Sequence, residues 1–260
     1  MKNGIRTTLK NSTGACGLIA AFSIVWAQSV WSADHPGNNY PINLPPSAQL
    51  HYSIKADRSG LTLVGEATVN WQTSDSGAAY SITSETRAAI FGKILEASSH
   101  GKVDSYGLAP DLYEEKSRNK APAQARFNRD SKQITFAESA DVYPISGGEQ
   151  DRTSIIWQLV SIARATPKKF VQGSQWNFFV AGRHDADPYT FTVDDSVTLN
   201  TPLGNLPTIH VIKAPPPNSK DQRLDIWLAP SMEWYPVRVK FSDADGDTID
   251  QTLDQVKKTP

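Results

Sequence analysis

One segment, QDRTSIIWQLVSIARA from Gln150 to Ala165, has helical periodicity in a chain that otherwise alternates like β-strands. At 100° per residue, its apolar side chains fall within an arc of about 160°. That face is made of Ile155, Ile156, Leu159, Val160, Ile162 and Ala163, with Trp157 at its margin. The opposite, polar face is predicted to carry Ser154, Gln158, Ser161 and Arg164. Because an apolar helix face needs an apolar surface to cover, we expect this helix to pack on the flanking strands.

The ends of this helix are also marked in the sequence. Asp151 can accept a hydrogen bond from a backbone N–H two or three residues later, which favours a helix start. Pro167 lacks the N–H that a continuing helix needs, so we expect the helix to end near Ala165.

About a dozen strand-like segments, separated by turn residues, surround the helix. Asp245-Gly246 between apolar stretches is the strongest hairpin signal. Gly107–Pro110 is predicted to be a turn, and Tyr189–Val193 and Ser196–Asn200 are predicted to be separate strands. The predicted fold is mainly β: a large curved antiparallel sheet or partly open barrel, with the one amphipathic helix packed on its concave face.

The N-terminus has the pattern of an export signal. Three basic residues precede an apolar run, Gly17–Trp26, and small residues follow at Ala27-Gln28-Ser29. This pattern predicts a cleaved signal peptide over residues 1–29 and a periplasmic protein, with an uncleaved membrane anchor as the alternative. A Pro- and Asn-rich extended linker over residues 30–47 and a single β-rich domain over residues 48–256 are predicted to follow.

Composition excludes several partners and chemistries for the exported part of the chain. Residues 1–33 contain three basic and no acidic side chains, so the rest carries a net charge of −4 against −1 for the full sequence. That balance argues against nucleic acid as a partner. The only cysteine, Cys16, lies in the predicted signal peptide, which leaves no disulfide, cysteine nucleophile or thiolate metal site. No second apolar run approaches the length of a membrane span.

Motifs for catalysis or for metal and cofactor binding are weak throughout. His184–Asp187 is more typical of a hydrated turn than of a metal site, and Asp243–Asp247 fits a hairpin better than a calcium loop. Adjacent carboxylates such as Glu114-Glu115 and Asp194-Asp195 are expected on opposite faces of their strands. Nucleotide-binding loops and the nucleophile elbow of hydrolases are absent from the sequence. We therefore assign no catalytic residue, metal or cofactor and expect a non-enzymatic protein.

Large apolar side chains form a second set of candidates, either as plain core packing or as the lining of a cavity for an apolar ligand. The candidate ligand-facing residues are Trp71, Ile155, Leu159, Ile162, Trp176, Phe178 and Trp227.

Six short motifs occur in an order that resembles a known family. They are Gly107–Pro110, Gln150–Ser154, Thr201–Gly204, Leu224–Pro230, Tyr235–Val239 and Asp245–Asp247. On these motifs the chain resembles the proteobacterial exported proteins catalogued as domain of unknown function 3108, over about residues 46–256. The resemblance implies an exported β-rich protein. It implies no activity and no catalytic residues.

The charged residues of these motifs suggest structural anchors. Asp151 and Arg152 begin the helix, whereas Asp225 and Arg238 lie on strands near Trp227. An ion pair between Asp151 and Arg238 is our hypothesis for how the helix is fixed to the sheet.

Three classes of function follow from these observations. The leading hypothesis is a non-catalytic binding or envelope-assembly protein that holds an apolar or acyl ligand between helix and sheet, a shape shared with periplasmic lipoprotein carriers. The alternative is a structural scaffold with a solid core and a protein partner in the envelope. The third is a hydrolase whose Ser, His and carboxylate come together from distant strands.

Overall fold

The computed structural model describes residues 35–215, 219 and 221–259, so the predicted signal peptide lies outside the described residues. The first eight strands are β1 (Ala48–Arg58), β2 (Leu61–Thr73), β3 (Ala79–Ala88), β4 (Gly92–Asp104), β5 (Gly107–Ser117), β6 (Ala123–Asn128), β7 (Gln133–Phe136) and β8 (Val142–Pro144). After them come β9 (Gln150–Asp151), the helix α1 (Ser154–Ala165), β10 (Gln175–Ala181), β11 (Ala186–Thr201), β12 (Gly204–Lys213), β13 (Arg223–Leu228), a 3₁₀ turn (Pro230–Met232), β14 (Pro236–Ser242) and β15 (Thr248–Lys258).

All fifteen strands belong to one sheet, in the order β8-β7-β6-β5-β4-β3-β2-β1-β15-β14-β13-β12-β11-β10-β9. Strands that follow one another in the chain are neighbours in the sheet, apart from β8 and β9. In addition, β1 pairs with β15 and so joins the two halves of the meander. All pairs are antiparallel apart from β9 with β10. The sheet is open, since β8 and β9 lie at its two edges. These findings confirm the predicted class, a large antiparallel sheet or open barrel with one helix.

The apolar face of α1 packs on the sheet as the periodicity predicts. Ile155, Leu159 and Ile162 are buried together with apolar side chains of β10 to β14, among them Phe178 and Ile226. A second part of the core is centred on Trp71 of β2 and Trp157 of α1, whose rings stack at 4.6 Å. A third, smaller cluster fills the sheet around β5 to β7.

The predicted polar face of α1 is not exposed, which corrects the sequence-based interpretation. Ser154, Gln158 and Ser161 are fully buried, and Ile156 of the predicted apolar face is only half-buried. The Gln158 amide reaches the turn between β4 and β5, where its oxygen accepts from Leu108 N–H at 2.9 Å and its nitrogen donates to the Tyr106 carbonyl. The helix is therefore enclosed on both sides, and its polar side chains bond to protein rather than water.

The strap, which we define as residues 35–47, covers part of α1. It contains no helix or strand, but it packs closely on the domain. Asn43 N–H donates to the Ser161 carbonyl at 2.9 Å, and the Pro45 carbonyl accepts from Trp71 Nε1 at 3.0 Å. Tyr40 adds edge contacts to the rings of Trp176 and Phe178. The described part of the predicted linker is thus extended and is packed on the domain.

Two local predictions are wrong. Leu108–Pro110 lies within β5 rather than in a turn, because the hairpin turn falls at Ser105-Tyr106. Tyr189–Val193 and Ser196–Asn200 form one strand, β11, which a β-bulge at Asp194-Asp195 interrupts. A bulge adds an unpaired residue without ending the strand, and the added polar residues resemble a turn in the sequence. The Asp245-Gly246 hairpin between β14 and β15 is confirmed.

Candidate functional site

An open pocket of about 740 Å³ lies where the start of α1 meets the concave face of the sheet. Its size is within the usual range for small-molecule sites, which is about 300–1,000 Å³. It is bounded by Arg152, Ile155, Asp185, Asp187, Pro188, Tyr189, Thr190, Lys213, Ala214, Asp221, Gln222, Leu224, Phe241 and Asp243. A second groove, of about 630 Å³, crosses β2 to β6 and carries mainly polar side chains.

The apolar wall of the first pocket comes from α1 and from the inner face of three strands. Ile155 stands in the first turn of α1, and Tyr189, Leu224 and Phe241 belong to β11, β13 and β14. Ile155 and Leu224 are buried, and Phe241 is half-buried at the edge of the same core cluster. This wall therefore continues the packed interior out to solvent.

Lys213 at the end of β12 supplies a buried charge to the pocket. Lys213 is only 8% exposed, because it lies on the same face of β12 as Ile209 and Val211, a face that is otherwise apolar. Its Nζ donates to the Gln222 carbonyl at 3.2 Å and lies 4.4 Å from the centre of the Tyr189 ring. Burial lowers the pKa of Lys213, and the charges of Asp221 and Asp187 act in the opposite direction.

Asp151 fixes the start of α1 next to the pocket. Its Oδ1 accepts from the N–H groups of Thr153 and Ser154, each at 2.8 Å, which confirms the predicted capping role. Its Oδ2 accepts from the Ser99 hydroxyl of β4 at 2.5 Å. Complete burial raises the pKa of Asp151 to about 6, against the lowering effect of these hydrogen bonds.

The proposed ion pair between Asp151 and Arg238 is not formed. Arg238 instead binds Asp250 of β15 through two hydrogen bonds. Because Arg238 alternates with Val237 and Val239, it points to the face of the sheet away from α1. The helix start is held by backbone instead: β9 pairs with β10, and Arg152 N–H donates to the Ala181 carbonyl at 3.2 Å.

Arg152, the other predicted anchor at the helix start, is exposed and borders the pocket. Its guanidinium crosses the backbone of Gly182, since a Cβ at that position would lie 2.9 Å from Arg152 Nε. Within the described ranges, no carboxylate lies at ion-pair distance from it.

The seven residues predicted to face an apolar ligand are distributed unevenly. Ile155 borders the pocket. Trp71, Leu159, Ile162, Trp176 and Phe178 are buried in the packed core and lie away from it. Trp227 is on the opposite face of β13 from Leu224 and Ile226. The interior is thus filled along most of the helix, and the pocket lies where α1 begins.

Sequence reasoning missed Lys213 and most of the strand residues of the pocket. A signal for Lys213 was present, because strand alternation places it on the same face as Ile209 and Val211. For Asp187, Asp221 and Phe241 the sequence carried no comparable signal. These three come together only because strands that are distant in the chain end at one rim of the sheet.

The face of the sheet away from α1 carries an ordered polar row. The imidazole of His210 stacks on Trp227 at 4.4 Å, and the Arg238 guanidinium lies 4.7 Å from the centre of the Trp227 ring. His210 Nε2 lies 2.8 Å from Asp225, which also accepts two hydrogen bonds from Arg223. These bonds lower the pKa of Asp225 to about 2 although its burial acts to raise it. Asp225 and Arg238 are therefore anchors between strands rather than between helix and sheet.

Asp194, Asp195 and His210 are the residues with metal-ligand geometry in the described part of the chain. Their nearest ligand atoms lie within 4.8 Å of one another. The expectation that Asp194 and Asp195 point to opposite faces is wrong, because the bulge in β11 brings both carboxylates close to His210. His210 Nδ1 is 3.2 Å from Asp194, so hydrogen bonding already explains this arrangement.

A second polar group, in the interior, joins Ser99 to Asp151 and to Tyr80, whose hydroxyl is 3.0 Å from that of Ser99. All three side chains are buried, and the group contains no imidazole. Because these side chains are buried and bond to the helix start, the group links β3 and β4 to the start of α1.

The architecture and the pocket define a class of protein. Its members have a barrel-like, open sheet that packs around one helix, with a pocket of small-molecule size at the helix start. The protein-family model described as "Protein of unknown function (DUF3108)" matches residues 49–254. The chain belongs to this family. None of the curated proteins matches it significantly.

Three solved structures are similar to the chain at low sequence identity. A β-barrel-like protein of domain of unknown function DUF1849 from Brucella abortus is 11% identical with a TM-score of 0.55, covering 84% of this chain and all of that one. A putative exported protein with a YmcC-like fold from Bacteroides fragilis is 11% identical with a TM-score of 0.35, covering 85% and 100%. A putative outer membrane lipoprotein-sorting protein domain from Vibrio parahaemolyticus is 8% identical with a TM-score of 0.28, covering 82% and 85%. The first of these supports the barrel-like fold.

In the part of the chain that the structure describes, no helix has the length and apolar character needed to cross a membrane.

Proposed function

We propose that this protein is a non-catalytic binding protein of the cell envelope that holds an acyl or other apolar ligand at the start of α1. The observation that carries the proposal is the pocket of about 740 Å³ between α1 and the concave face. Its wall of Ile155, Tyr189, Leu224 and Phe241 offers apolar contact to a chain, and its opening to solvent offers a place for a head group. Export to the envelope is inferred from the basic and apolar N-terminal pattern.

Displacement of a fluorescent fatty acid from the purified chain tests this function. Binding at micromolar probe concentrations is expected, and absence of binding would contradict the proposal. Ala214 is exposed at the pocket, so Ala214→Trp should fill part of the space without disturbing the core. We expect this variant to weaken probe binding by about tenfold or more, which corresponds to about 1.4 kcal/mol.

Ala140→Trp is the matched control for this substitution. Ala140 is also exposed, but it lies in the loop between β7 and β8 and does not border the pocket. The Ala140→Trp variant should bind the probe as the unmodified chain does. Equal loss in both variants would show that the effect does not come from the pocket. Native mass spectrometry of protein purified from its host would add a direct readout, since a retained ligand appears as extra mass.

The scaffold alternative is favoured by a different observation. The interior beneath most of α1 is filled, and four apolar side chains are exposed at one rim of the sheet: Leu61, Val64, Ile90 and Phe91. If the rim is the functional surface, the double variant Ile90→Ser with Phe91→Ser should fail to complement a deletion strain, so that its envelope phenotype persists, whereas Ala214→Trp should complement fully. The ligand-binding proposal predicts the reverse outcome.

A further inference from the structure

The charges around the pocket are of both signs, and they are not paired with each other. Lys213 presents three N–H donors but has one hydrogen-bond acceptor, the Gln222 carbonyl, among the described residues. No carboxylate in the described ranges lies within 4.0 Å of its Nζ. A buried ammonium without a carboxylate partner is costly, so an anionic group from outside would stabilise it.

Arg152 adds a second cation at the same pocket. It too has no carboxylate at ion-pair distance in the part of the chain that the structure describes. Its guanidinium is positioned over Gly182, where a larger residue would collide with it. Guanidinium and ammonium groups together bind phosphate and carboxylate oxygens well.

Four carboxylates border the same space. They are Asp185, Asp187, Asp221 and Asp243. Asp243 accepts a hydrogen bond from the Gln222 amide at 2.8 Å, and Asp185 is 4.0 Å from His184. No described Lys or Arg lies within ion-pair distance of these four side chains. A purely anionic ligand would meet their repulsion, whereas a purely cationic ligand would be repelled by Lys213 and Arg152.

We infer that the ligand is an amphiphile with a zwitterionic head group, such as a phosphate ester of an amino alcohol. This inference rests on the proposed function. The anionic group binds Lys213 and Arg152, and the cationic group lies against Asp185 and Asp187. The acyl chain contacts Ile155, Leu224 and Phe241. With such a head group, the cationic and the anionic side chains of the pocket each gain an oppositely charged partner.

The test compares three single-chain amphiphiles of equal chain length below their critical micelle concentrations. They are lysophosphatidylethanolamine, lysophosphatidylglycerol and a long-chain alkylamine, each titrated against the bound fluorescent probe. We expect the zwitterion to bind about tenfold or more tightly than either of the others. Equal binding of the anionic compound would overturn the zwitterion inference and leave the proposed function standing. Failure of all three, and of the probe, would overturn both.

Three lysine variants test the cationic side of the pocket. Lys213→Met should reduce affinity for the zwitterion by about tenfold, and Lys213→Arg should retain it, because the charge is kept. Lys168→Met, at an exposed site away from the pocket, should have no effect. Thermal unfolding of each variant verifies that the fold is intact.

Asp187→Asn gives a readout that loss of packing cannot imitate. Asp187 is exposed, so removing its charge should weaken binding of the zwitterionic lysolipid and strengthen binding of the anionic lysolipid. Asp75→Asn, in the exposed turn between β2 and β3, is the matched control and should change neither affinity. If Asp187→Asn changed the affinity for both lysolipids equally, the placement of the cationic group against Asp187 would be contradicted.

Discussion

At the scale of single residues, Asp151 gives the protein a pH-dependent stability. Its pKa is about 6 in the fold against 3.8 for the unperturbed group, so the folded chain binds the proton more tightly. The stabilisation of the fold by Asp151 is fully present below pH 3.8 and is lost as the pH rises through 6. It amounts to roughly 3 kcal/mol at most, since one pKa unit is about 1.4 kcal/mol.

Asp151→Asn should remove this dependence. The side-chain oxygen of Asn can still accept from the N–H groups of Thr153 and Ser154, so the helix start is kept. Urea unfolding at pH 5 and pH 7.5 should show higher stability at pH 5 for the unmodified chain and little difference for the variant. Asp151→Ala should lose a further 0.5–2 kcal/mol, about the usual cost of a missing cap. If the stability of the Asn variant changed between pH 5 and pH 7.5 as much as that of the unmodified chain, the pH dependence would come from another group.

Asp225 acts in the opposite direction and at lower pH. Its hydrogen bonds with His210 and Arg223 hold its pKa at about 2, so the folded chain releases the proton more readily. Its stabilisation is present above pH 3.8 and is lost as the pH falls toward 2. Asp225→Asn should cost about 2 kcal/mol at neutral pH and should flatten the acid side of the stability curve. Asp75→Asn, in an exposed turn, should leave that side of the curve unchanged, and a flattened curve in both would contradict the assignment.

At the scale of elements, what could be predicted follows from the distance over which each signal acts. The existence of α1, the Asp151 cap and the Asp245-Gly246 hairpin depend on neighbours within a few residues, and all three are confirmed. The burial of Gln158 depends on a turn about fifty positions away, and its helical position alone indicated solvent. The partner of Arg238 depends on the face of the sheet to which its side chain points, and the motif did not reveal that face.

The strap covers part of the side of α1 that the sequence marks as polar. It bonds to the Ser161 carbonyl and to Trp71 Nε1, and Tyr235 Oη donates to the Pro46 carbonyl at 2.7 Å. A chain that begins at Ser47 leaves these three groups without their partners and exposes the apolar side chains beneath. We expect it to unfold several degrees lower than a chain that begins at His35, measured by circular dichroism. Equal midpoints would show that the strap is only a tether.

At the scale of the whole molecule, the two halves of the sheet are joined through one pair of strands. β1 and β15 pair from Ala48 with Lys258 to Asp57 with Thr248, and Leu253 of β15 is fully buried beside the first half of the core. The pocket lies in the second half, at the ends of β11 to β14. The pocket and the first half of the core therefore belong to one sheet whose continuity depends on the pairing of β1 with β15.

A chain that ends at Ser242 tests this dependence, because it lacks β15 and leaves facing edges on β1 and β14. Unpaired edges expose backbone donors and acceptors and favour aggregation. We expect this chain to lose the cooperative thermal transition and to bind no fatty-acid probe, although every residue of the pocket except Asp243 is present. A chain that ends at Lys258 retains all of β15 and should behave like the full chain. A cooperative transition with probe binding in the shorter chain would mean that the second half folds and functions alone.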